Sequence, residues 1–209
     1  GMPTYAGKLP NKLLDFVKSG FHGNGALAVP VVTFGNRSFD NSLAELCACL
    51  EGDGFHTIGA GAFACRHAFT DALANGRPDS DDMAELAKLG SAVVGRIVRM
   101  TEYPAPVTVD GDADAPYYRP LGLDGEPKVF LKAKPKTDLD KCIRCGVCAS
   151  LCPMGSINPD DVTEVVGLCI KCHSCVRNCP MGAKYFDDPA FLSHLSLIHI
   201  SEPTRHAQI

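Results

Sequence analysis

The sequence has no uninterrupted apolar run approaching the roughly 20 residues that a membrane-spanning helix needs, so no helical span is expected among its 209 residues. It also lacks a basic excess: 20 Lys and Arg stand against 24 Asp and Glu, a formal net charge of −4. Without a positive field nothing would hold a polyphosphate backbone, and nucleic acid gives way to another protein as the expected partner. The N-terminus shows no charged lead followed by the apolar segment of a secretory signal. No acid, base and nucleophile stand in a recognisable catalytic pattern, so catalysis by this chain alone has no residues to carry it. Hydrophobic residues at 45% and charged residues at 21% describe a globular chain, long enough for one ordinary domain and a smaller one beside it.

What the sequence has in quantity is cysteine. Eight of its eleven cysteines lie between residues 142 and 179 in two copies of one spacing. Cys142, Cys145, Cys148 and Cys152 precede Pro153, and Cys169, Cys172, Cys175 and Cys179 precede Pro180. Both runs read C-x2-C-x2-C-x3-C-P, and CIRCGVCASLCPMGSI repeats as CIKCHSCVRNCPMGAK. Three thiolates at such short intervals wrap one side of an iron–sulfur cube, and each cube needs a fourth from elsewhere. Zinc also favours sites of four cysteines, but it usually draws paired C-x2-C units, without a third cysteine at the same interval or a C-x3-C-P ending. Pro153 and Pro180 turn the chain away after each run, and a short helix is expected after each fourth cysteine. His173 stands where the first copy has Gly146, and it is read as a residue beside the ligands or at the surface, since all four thiols of its run are already present. Thiols that must stay reduced place the chain in a reducing compartment, the cytoplasm. Cys47, Cys49 and Cys65 lie far from this pattern and are read as small core residues.

The runs resemble those of bacterial two-cluster ferredoxins, in which the fourth cysteine of each run ligates the other cluster. That resemblance implies two [4Fe-4S] clusters: one on Cys142, Cys145, Cys148 and Cys179, the other on Cys169, Cys172, Cys175 and Cys152.

The first hundred residues alternate apolar runs with helical patterns, as in a parallel α/β sheet. Residues 2–10 read as a loop, and 11–19 as a short amphipathic helix with Asn11 as its cap. Residues 26–34 form a near-continuous strand pattern, with Pro30 as the place where its pairing should falter. A helix follows over 42–52, where Ser42 and Glu45 have capping-box spacing. A second strand pattern covers 55–63, and the acidic cluster 79–82 suits the N-terminus of a helix running to about residue 100.

Three loops, Pro3-Thr4-Tyr5-Ala6-Gly7, Phe34-Gly35-Asn36-Arg37 and Gly76-Arg77-Pro78, resemble those of flavodoxin-like domains. Nearly all of residues 2–194 is similar to the prokaryotic fusions of a flavodoxin-like domain with a two-cluster ferredoxin. The resemblance implies a partial flavodoxin-like domain over 1–100 that starts after strand 3, a Pro/Gly-rich linker over 101–137, a small α+β ferredoxin domain over 138–187 and a tail over 188–209. It also implies that Tyr5, Ala6, Phe34, Gly35 and Asn36 face FMN in the full-length protein. Strand 1 and its phosphate loop have no counterpart, so FMN is expected only there. Residues 195–209 resemble translated sequencing adapter, with LSLIHISEPTR at 195–205, and the chain is expected to be a fragment truncated at both ends. The implied role is electron transfer to or from a redox partner protein. A flavin-dependent oxidoreductase that uses the clusters as an internal relay, and a ferredoxin-like docking or structural module, are the alternatives.

Overall fold

In a computed structural model of the chain, residues 1–35 and 37–200 are described, apart from the side chains of His199 and Ile200. The chain divides into two compact units, Gly1–Arg119 and Pro120–Ile200. Residues 101–137, read as a linker, are shared between them: Val107 and Val109 pack on the core of the first unit, whereas Phe130 packs edge-on against Phe191 in the second, with centroids 5.2 Å apart.

The first unit is built on parallel strands. Met2–Pro3 (β1), Val31–Phe34 (β3) and Gly61–Ala64 (β5) form one sheet in the order β1-β3-β5, and Leu27–Ala28 (β2) pairs with His56–Thr57 (β4). All of these pairings are parallel. The strand pattern over 26–34 is therefore two short strands, interrupted at Val29 and Pro30, because proline has no N–H to give to the ladder. The facing run breaks at the same level, between β4 and β5, and Gly61 N–H reaches the carbonyl of Pro30 at 3.0 Å. The stretch 2–10, read as loop, opens with β1. It then reverses at Ala6 and Gly7, whose positive φ values of 49° and 75° match a tight two-residue turn.

Three helices complete this unit: Leu14–Ser19 (α1), Ser42–Gly52 (α2) and Ser80–Arg99 (α3). α1 starts later than expected, with Leu13 and not Asn11 at its cap. α2 begins where the sequence predicts, but the capping box does not form. Glu45 instead turns inward to pair with Lys8 Nζ at 3.0 Å and to accept the Leu9 N–H at 2.7 Å. Lys8 also donates to the carbonyls of Ala113 and Ala115, at 2.5 and 2.9 Å. α3 has a true capping box, with Asp79 accepting from Asp81 and Asp82 N–H and Asp82 returning the bond to Asp79 N–H. The core gathers Leu9, Val32, Phe34, Leu43, Leu46 and the alanines of β5, with Cys47 and Cys49 among them. Cys65 differs from the expectation and is only half-buried.

The second unit contains Lys136–Thr137 (β6), the one-turn helices Val147–Ser150 (α4) and Ser174–Arg177 (α5), Lys184–Tyr185 (β7) and Pro189–Ile200 (α6). β6 pairs with β7 antiparallel, and Ile157 bridges Val165 in the same sense. Each short helix carries the third cysteine of its run and precedes the fourth, where the sequence reading placed it after the fourth. Residues 195–200 of the adapter-like stretch lie in α6, and 201–209 lie outside the described residues. No helix among the described residues is long and apolar enough to cross a membrane.

Candidate metal centre

The two cysteine runs fold as copies of one another. Arg144, Gly146 and Gly155 take φ values of 55°, 78° and 56°, and their counterparts Lys171, His173 and Gly182 take 57°, 60° and 59°. Residues in this left-handed region tighten the chain and aim successive N–H groups toward one point. Ser156 N–H meets Cys152 Sγ at 3.3 Å, and Ala183 N–H meets Cys179 Sγ at 3.2 Å. Lys171 N–H meets Cys169 Sγ at 3.4 Å. Such bonds stabilise negative charge on sulfur, the form in which a thiol ligates metal.

His173 holds the left-handed position where glycine would be free of cost; for another residue it costs roughly 1–2 kcal/mol. Packing offsets this. The His173 ring is 6% exposed and lies flat on Phe186, with centroids 4.8 Å apart and planes 8° from parallel. Phe186 meets Phe191 of α6 at 5.0 Å, and the stack continues through Phe130 to His194. Of the two places the sequence reading leaves open to His173, beside the ligands or at the surface, it takes the buried one beside the second run. Its aromatic wall was missed, because Phe130 and Phe191 are far from the runs in sequence.

The cysteines gather round two voids, one to each run, as two copies of one motif should make. Cys142, Cys145, Cys148 and Cys179 line the first, together with Val162 and Lys184. Cys152, Cys169, Cys172 and Cys175 line the second, together with Ile157, His173 and Phe186. Each void thus meets three cysteines of one run and the fourth of the other. Cys148, Ile157, Val162 and Cys175 form a buried apolar cluster. Of the eight cysteines only Cys145 is exposed. Among the described residues no three or more His, Cys, Asp or Glu side chains converge as they would on a single metal ion.

Burial pushes the Cys175 thiol up to about 11 and raises Cys148 and Cys169 as well. Burial also acts to raise Cys179, but backbone N–H groups from Ala183, Met181, Lys184 and Gly182 outweigh it and bring this thiol below its ordinary value. Binding iron to the raised thiols must therefore release protons.

Four of the five residues expected at a flavin, Tyr5, Ala6, Phe34 and Gly35, lie at the carboxyl ends of β1 and β3, the edge at which open α/β sheets hold ligands. Tyr5 is half-buried and Ala6 exposed, and the Ala6 carbonyl accepts the Tyr118 N–H at 2.8 Å. Phe34 is 3% exposed and packs edge-on against Phe39, centroids 5.5 Å apart. Gly35 passes so close to His67 that a Cβ there would stand 2.3 Å from the ring. Asn36 lies outside the described residues.

Two family profiles, each described as a 4Fe-4S binding domain, match residues 135–158 and 167–182, one over each cysteine run. No curated protein matches the chain. The second unit therefore carries two ferredoxin-type 4Fe-4S binding motifs, and these support iron–sulfur electron transfer.

Proposed function

We propose that the second unit is a one-electron relay built on two [4Fe-4S] clusters with exchanged fourth ligands. Cys142, Cys145, Cys148 and Cys179 hold one cluster, and Cys169, Cys172, Cys175 and Cys152 hold the other. The observation that carries this reading is the lining of the two voids, each by three cysteines of one run and the fourth of its copy. The clusters, when bound, supply one-electron redox chemistry; the chain supplies thiolates, N–H donors to sulfur and an apolar jacket that excludes water. Residues 138–187 form this domain. A partner protein exchanges electrons at the Cys145 edge, where exposed Ile143 and Met181 flank the first void, and the cytoplasm keeps the thiols reduced.

Coupling to flavin extends the proposal. The parallel sheet of the first unit and the placement of Tyr5, Ala6, Phe34 and Gly35 at its carboxyl edge support a partial flavodoxin-like domain over 1–100. In a longer chain with a phosphate-binding loop, that edge takes FMN. Anaerobic reconstitution of the chain with iron and sulfide tests the relay: about eight irons and eight sulfides per chain, with a broad absorbance bleached by dithionite, are expected. Uptake of zinc alone, with no sulfide retained and no reducible absorbance, would refute it.

A further inference from the structure

Because the two runs are copies, matching positions serve as a built-in comparison. Ile157 and Lys184 occupy such a pair, five residues past the fourth cysteine of each run. Both are 3% exposed. Ile157 lines the void of Cys152, Cys169, Cys172 and Cys175, whereas Lys184 lines that of Cys142, Cys145, Cys148 and Cys179. The fold therefore sets a buried lysine against one cysteine set where the other has a hydrocarbon, and its charge favours the thiolate of Cys148 in the first set and also that of Cys175 in the second.

Lys184 is held firmly. Its Nζ donates to Thr137 Oγ1 at 2.7 Å and to the Val162 carbonyl at 2.5 Å, both uncharged acceptors. None of the ion pairs among the described residues includes it. A buried charge is costly unless it is compensated; the Asp161 carboxylate feels the Lys184 charge without closing an ion pair with it, and a cube carrying four thiolates is a negative body that becomes more so on reduction.

We propose that Lys184 is the counter-charge of the cluster bound by Cys142, Cys145, Cys148 and Cys179, and that it sets this cluster at the higher potential of the two. The inference rests on the relay reading above. One electron leaves a one-electron reductant and adds to one cube, with no bond broken and no proton moved, and Lys184 decides which cube keeps it. Exposed Cys145 acts in the same direction, since water also favours the added charge. His173 and Phe186 line the second void. Arg144 and Lys171 match one another in the two copies and are both basic, but Arg144 is exposed whereas Lys171 is half-buried and favours the thiolate of Cys169, so this pair acts toward the second cluster, from a more solvated position than that of Lys184. The Lys171 N–H bond to Cys169 favours the second cluster, but it sets a dipole against a full buried charge.

The test is an anaerobic redox titration of the reconstituted full chain with dithionite, followed by electron paramagnetic resonance, with iron and sulfide counted in each sample. Cys172→Ser identifies the signal of the second cluster by removing it. Two separate reduction waves are expected in the unaltered protein, the higher belonging to the first cluster. Lys184→Met should shift that wave to lower potential by more than it shifts the other, while Lys184→Arg keeps it near its original position. Coincident waves, a higher wave that disappears in Cys172→Ser, or equal shifts of both waves in Lys184→Met would overturn the proposal. Should Lys184→Met fail to load, the order of the two waves in the unaltered protein still decides. Failure to load eight irons in the unaltered chain would instead count against the relay itself.

Discussion

Cys47 and Cys49 share α2, are each 7% exposed and have no part in the iron–sulfur pattern. Burial pushes Cys47 up to about 11 from an ordinary 9.0, and the nearby Glu51 carboxylate adds to the rise. A thiol whose folded value is raised stabilises the fold fully below its unfolded value and loses that contribution as pH climbs through the folded one. Stability should therefore fall between about pH 9 and pH 11, with up to roughly 2–3 kcal/mol traceable to this thiol. Urea unfolding followed by circular dichroism at pH 8 and pH 10.5 checks this: Cys47→Ala should lose less stability between the two than the unaltered chain, and equal losses would place the pH dependence elsewhere. The core role of Cys47 was legible from its type and its helical register. The half-burial of Cys65 was not legible, because it depends on where the loop after β5 runs.

At the scale of elements, what could be read from the sequence was what is decided locally. The Asp79 capping box of α3 joins residues three apart, and the acidic cluster announced it. Glu45 has the same spacing from Ser42, but its partners Leu9 and Lys8 stand 36 and 37 positions upstream, beyond any pattern in a window. The buried Lys8–Glu45 pair ties the turn after β1 to α2, with side chains 5% and 6% exposed. Glu45→Gln leaves the ammonium without its counter-charge and should cost about 3–5 kcal/mol in urea unfolding. Lys8→Met combined with Glu45→Leu should recover much of that loss. If the double variant were as unstable as the sum of the singles, the pair would not be the interaction that matters. The break at Pro30 was also legible, as a residue unable to donate. The matching break between β4 and β5 was not, since it follows from the pairing.

For the whole second unit, the spacing of the cysteines announced the chemistry, and the fold adds how the copies interlock. β6, before the first run, pairs with β7, after the second, while Ile157, after the first run, bridges Val165, before the second. The strands are thus exchanged between copies, and the fourth cysteines, which lead into Ile157 and β7, are carried across with them. Lys184 and the His173–Phe186 stack were not legible as a source of difference between the voids, because a repeat read as sequence looks symmetric. The exchanged ligand sets are the central claim, and single cysteine replacements test it most directly. Cys145→Ser and Cys172→Ser assign the two signals in paramagnetic resonance of the reduced, reconstituted chain. The account predicts that Cys179→Ser then damages the signal lost in Cys145→Ser, and Cys152→Ser the one lost in Cys172→Ser; the opposite pairing would contradict it.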